Sequence, residues 1–170
     1  MRYLSIFVLW FLPSVVVAGE LLTPRPLDPI AAETFARALS RSAVVRSLVA
    51  ALEQSNVIVH IESSMQMPAG IVGMTRFVTS RGGYRYVRIT IGSDLSKTAR
   101  TAILGHELQH ACEVAESGAD DIKGMRRLFT LEGHRTGDYY ETVTALQTEK
   151  KIRTELREKS VTARSAVPGK

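Results

Sequence analysis

The dipeptide Gly82-Gly83 most constrains what this chain can fold into. It separates two stretches that read as strands, AGIVGMTRFVTS (69–80) and YRYVRITIG (84–92). Both glycines tolerate positive φ, so Arg81-Gly82-Gly83 reads as the turn of a hairpin between two antiparallel strands. In the second strand Tyr84, Tyr86, Arg88 and Thr90 alternate with Arg85, Val87, Ile89 and Ile91, which makes one face apolar from Val87 onward. That face has to be covered, and the remaining sequence supplies helices to do it. Beyond Pro29, residues Ile30, Phe35, Leu39, Val44, Leu48, Ala51 and Leu52 fall on one broad helical face, predicting a helix that ends near Ser55-Asn56. VIVHIE (57–62) predicts a third strand, in which His60 is read as a core or surface residue rather than a ligand. SDLSKTARTAILGHELQHACEVAES (93–117) predicts a long helix, capped at Ser93, Asp94 or Ser96 and closed by Gly118. A further helix over roughly 120–130, the turn EGHRTGD and an amphipathic helix over about 139–158 follow. The expected class is α+β, with helices beside a small antiparallel sheet.

Residues 1–18 have the pattern of a secretory signal: Arg2, the apolar run Leu4 to Leu12, a break at Pro13 and the small-residue site Val16-Val17-Ala18. A membrane anchor is the competing reading, but the apolar run is short for a span of about 20 residues. The expectation is therefore an exported chain, periplasmic or secreted, with no stable membrane span after cleavage. Residues 19–29, with Pro24, Pro26 and Pro29, read as an extended lead-in, residues 30–159 as one domain and residues 160–170 as a disordered tail. The formal charge of +5 lies largely in the C-terminal segment, where acids and bases interleave as on a solvated helix face. No basic stripe with interleaved aromatics is present, so no nucleic-acid partner is expected. Cys112 is the sole cysteine, which excludes an internal disulfide; amid the apolar run it reads as a small buried hydrophobe.

His106-Glu107-Leu108-Gln109-His110 matches H-E-x-x-H. On a helix, residues four apart lie one above the other, so both imidazoles can reach a single ion. Glu107 is rotated by about 100° and lies beside that ion, where it suits a base acting on metal-activated water. Gly105 would let another segment approach this helix closely. A catalytic zinc site wants a third protein ligand and an open position. The extended form of the motif, with glycine at 113 and histidine at 116, is excluded because Glu113 and Glu116 stand there. The remaining option is a carboxylate from a later helix, and Glu141 is the best candidate, with small Ala145 four residues on. Asp138 followed by Glu141 also resembles a capping box, which would give this carboxylate a structural role instead. Glu149 is the next candidate ligand, and His134 and Asp138 follow.

ILGHELQHA resembles the active-site helix of the zincin metallopeptidases, and ETVTA resembles the glutamate helix of their gluzincin branch. The resemblance implies a minimal zincin-like domain: an N-terminal helix, a small sheet, an active-site helix and a C-terminal glutamate helix. It implies Zn²⁺ bound by His106, His110 and Glu141, peptide-bond hydrolysis with Glu107 as general base, and a peptide or protein substrate paired to an edge strand, matched here by 84–92. Tyr86, Tyr139 and Tyr140 are candidates for oxyanion stabilisation. Two other classes compete with an exported peptidase: a zinc-binding or interaction protein without catalysis, and a metal-free helical interaction domain.

Overall fold

The computed structural model describes residues 24–136 and 139–165. The expected leader, the first five residues of the lead-in, Gly137, Asp138 and the last five residues lie outside the described residues. The elements in order are β1 (Arg25–Pro26), α1 (Pro29–Arg41), α2 (Ala43–Glu53), β2 (Val57–Ser64), β3 (Gly73–Arg81), β4 (Tyr84–Gly92), α3 (Lys97–Ser117), α4 (Ile122–Glu132), β5 (Gly133–Thr136), β6 (Tyr139–Thr142) and α5 (Val143–Ser165). The class is α+β. None of the described helices is long and apolar enough to cross a membrane.

The first helix is two. Ser42 is extended, and its hydroxyl caps α2 by accepting from Val45 N, while its own N–H closes α1 on Ala38 O. The apolar periodicity runs through the break because both helices bury the same side of the chain, and periodicity alone does not register one capping serine. At the other end α5 continues through Ser165, past the start of the expected tail.

The sheet corrects a second expectation. Its order is β1-β2-β4-β3, with β1 and β2 both joined in parallel and only β3–β4 antiparallel, so the sheet is mixed. The 84–92 strand is therefore an interior strand; among the described strands the edges are the two-residue β1 and, beside β4, β3. Gly82 and Gly83 turn the hairpin at φ of 60° and 80°, as their positions predict. Val57, Val59, Ile61, Val87, Ile89 and Ile91 point from β2 and β4 into the core.

Helix α3 runs between that face and α5. From Arg100 to Val114 every residue except Gln109 is buried, which accounts for a helix that is apolar on more than one side. Ser96 caps its start through Ala99 N, and Gly118, at φ 69°, ends it. The buried Arg85 of β4 donates to the carbonyls of Val114, Ala115 and Ala119, tying the last turn of α3 to the sheet. Cys112 is buried, and burial pushes its thiol up to about 12, so it packs as an inert hydrophobe.

Gly105 is where α5 comes closest. A Cβ there would stand 2.0 Å from Cδ1 of the fully buried Ile152. Gly105→Ala gains about 1 kcal/mol of helix propensity against about 1–3 kcal/mol of overpacking. The single substitution should therefore cost up to about 2 kcal/mol in urea unfolding. With Ile152→Val, which removes Cδ1, the same change should become neutral or stabilising. Additive effects of the two would show that the approach is not limiting.

Candidate metal centre

Helix α3 aims His106 and His110 at the same point, and the β5–β6 hairpin brings Glu141 to it. Glu141 sits in β6, paired across the hairpin with His134, and not in a helix as the capping-box reading expects. The cap of α5 is Thr142, whose hydroxyl accepts from Ala145 N. The cap and the candidate ligand are thus neighbouring residues rather than one.

The ligand-capable atoms of His106, His110 and Glu141 lie within 4.8 Å of one another. Oε2 of Glu141 is 2.9 Å from Nε2 of His106 and 3.8 Å from Nε2 of His110, and the two Nε2 atoms are 3.1 Å apart. Tetrahedral ligands at zinc distances stand about 3.3 Å apart, inside that spread. Oε2 of Glu141 and Nδ1 of His106 are both buried without a hydrogen-bond partner. Three electron-pair donors converging this closely repel one another unless a proton or a cation lies among them. The residues present therefore fit a metal ion.

The outer nitrogens of both rings face carboxylates. Nδ1 of His110 is 2.8 Å from Oε2 of Glu113, whose Oε1 accepts from the Thr142 hydroxyl at 2.7 Å. Nδ1 of His106 is 3.3 Å from Oε2 of Glu149, and Glu149 is held by Arg153 at 2.7 Å. Carboxylates behind ligand histidines fix the ring and raise its basicity. Glu149 thus lies behind a histidine instead of beside Glu141. Burial alone would lower His106, but the carboxylates of Glu141 and Glu149 outweigh it and push the imidazole up to about 10. Burial is likewise outweighed at His110 by Glu113 and Glu141, which carry it to about 9. Burial would raise Glu141, yet the two imidazoles hold it down to about 2.

Glu107 lies one step round α3, buried, with its Oε2 accepting from the Thr75 hydroxyl of β3 at 2.7 Å. Burial outweighs the two nearby imidazoles and pushes its carboxyl above the usual range. Gly73 makes room for it: a Cβ there would come within 2.6 Å of Glu107 Oε1 and 2.4 Å of Ile103. Glu107, His110 and Glu141 all line a cleft of about 490 Å³ between the β3 edge and α4, with Met125, Phe129 and Tyr140 among its apolar walls.

Of the other residues singled out in the sequence, Tyr140 lines this cleft, while Tyr86 lies beside His60, ring centroids 6.2 Å apart and tilted by 39°, on the sheet face turned from α3. His134 is exposed and outside the cluster. Asp138 and the side chain of Tyr139 lie outside what is described. Sequence reasoning missed Thr75 and Thr142, and it read Glu113 only as a departure from a longer motif. The i,i+3 spacing of His110 and Glu113 was the one available signal. Comparison of the chain with protein-family models, with curated proteins and with solved structures returns no match.

Proposed function

We propose that this chain is a zinc-dependent peptidase acting outside the cytoplasm, with His106, His110 and Glu141 as ligands and Glu107 as general base. The observation that carries the reading is that Glu107, His110 and Glu141 open on one cleft bounded by the β3 edge. Zinc held there would supply the Lewis acidity that makes water nucleophilic near neutral pH and polarises a carbonyl. The chain's own residues do the rest. An extended peptide pairs its backbone with the free edge of β3, and its side chains enter the apolar walls. Glu107, aimed by Thr75 and given space by Gly73, takes the proton of the attacking water and delivers it to the leaving amine. Glu113 and Glu149 hold the rings in register.

The test is metal content of the purified chain together with cleavage of a mixed peptide library, with and without chelator. Stoichiometric metal with chelator-sensitive cleavage supports the reading. Metal without cleavage of any peptide makes the protein a zinc-binding or interaction protein, and absence of bound metal under zinc-replete conditions rejects both.

Metal uptake should also depend on pH in a definite direction. The ion-free chain holds protons on His106 and His110 until pH passes about 10 and about 9 respectively. Binding must displace both protons, so the logarithm of apparent affinity should rise by about two per pH unit between roughly pH 6 and 8, and level off above pH 10. Competition against a chromophoric chelator across that range measures it. A flat profile would mean that the imidazoles are not the ligands.

A further inference from the structure

Away from the cleft, α1 and α5 each present two arginines four residues apart to one hollow of about 400 Å³: Arg37 and Arg41 from one helix, Arg153 and Arg157 from the other. Thr98, in the first turn of α3, adds a hydroxyl, that of Ser160 donates within its own helix to Leu156 O and Arg157 O, and no carboxylate lines the hollow. Like charges four apart on a helix are destabilising, and here two such pairs face each other. Arg153 is paired with Glu149, and Arg37 feels the more distant Glu33 carboxylate without an ion-pair contact among the described residues. Nε of Arg37 is buried without a hydrogen-bond partner, and among the described residues no hydrogen bond or ion pair reaches the guanidinium of Arg41 or Arg157. Four arginines gathered around one concave hollow form a strongly positive site whose chemistry suits a multiply charged oxyanion.

We propose that this hollow binds a compact polyanion of the phosphate class, and that its occupation draws Arg153 away from Glu149 and so acts on His106. Glu149 is bonded to Arg153 through Oε1, while its Oε2 stands 3.3 Å from Nδ1 of His106, a buried nitrogen that has no hydrogen bond. When Arg153 turns to the anion, Glu149 keeps its full charge for the ring. The hollow is thereby linked to the metal centre by one ion pair, and the link holds whichever ion that centre takes.

The test titrates the full-length, metal-free chain with sodium pyrophosphate by calorimetry, alongside co-sedimentation with phosphatidylcholine vesicles with and without phosphatidic acid. Pyrophosphate should bind the wild type, and Arg157→Glu and Arg37→Gln should each weaken binding at least about tenfold. Arg157 is exposed, so its variant should keep the wild-type circular dichroism. Binding to phosphatidic acid vesicles alone, with the same loss in Arg157→Glu, assigns the same phosphate chemistry to a lipid headgroup. Binding to neither, or binding that Arg157→Glu leaves unchanged, overturns the site. At saturating pyrophosphate the ring resonances of His106, assigned with His106→Gln, should move. Resonances that stay in place would overturn the link to the metal centre.

Discussion

Glu107→Gln should lower kcat/KM for peptide cleavage by about 10²- to 10⁴-fold, the usual worth of a positioned general base, and leave the bound metal in place. The amide has nearly the same size as the carboxylate and still accepts from the Thr75 hydroxyl, which lies 2.7 Å from Oε2. It cannot take a proton. Glu107 is not one of the three residues whose ligand atoms converge, so metal content should be unchanged. Gly73→Ala acts on the same carboxylate by displacement: its Cβ would need the space 2.6 Å from Oε1. Its effect should run in the same direction and be smaller, because Glu107 remains ionisable. Peptide hydrolysis and metal analysis on the same preparations check both. Undiminished cleavage by Glu107→Gln would remove this residue from the mechanism whatever the metal result.

The part of this arrangement that could be read from sequence is the part written in one helix. His106, Glu107 and His110 share a face because of their spacing alone, and Ser96 and Gly118 mark the ends of α3 by their capping chemistry. What links distant segments was harder to read. Alternation along 84–92 shows which face is buried but not which strands flank it, so the parallel insertion of β2 beside β4 left no trace in the pattern. Asp138 and Glu141 have capping-box spacing, yet pairing with β5 keeps Glu141 extended, and Thr142 takes over as the cap. Tyr139-Tyr140 before Glu141 is a β-favouring pair that supports this outcome. Glu141 could be singled out as a candidate ligand, but its strand context depends on pairing with His134 seven residues earlier, which capping-box spacing does not register. Thr75 carries no sequence signal, since its role exists only once β3 lies against α3.

Glu141→Ala should weaken metal binding more than any change behind the histidines. Outer partners of ligand histidines are worth about 10- to 100-fold in affinity, so Glu113→Gln and Glu149→Gln should fall in that range. Removing a ligand atom should exceed about 100-fold. The structural reason is convergence: Glu141 Oε2 supplies the only negative charge within 4 Å of both Nε2 atoms among the described residues. Without it two imidazoles 3.1 Å apart remain, too few to hold an ion against competing water. Because Thr142 caps α5, deletion of the Glu141 carboxylate leaves the start of that helix intact. A loss of affinity can then be separated from a loss of fold by circular dichroism. Metal that binds only the native state raises its melting point by mass action, so the zinc-dependent rise in Tm should be large in wild type, reduced in the two Gln variants and absent in Glu141→Ala. If Glu149→Gln instead abolished the rise while Glu141→Ala kept it, Glu149 would be the third ligand, and the His106 ring would bind through Nδ1 rather than Nε2.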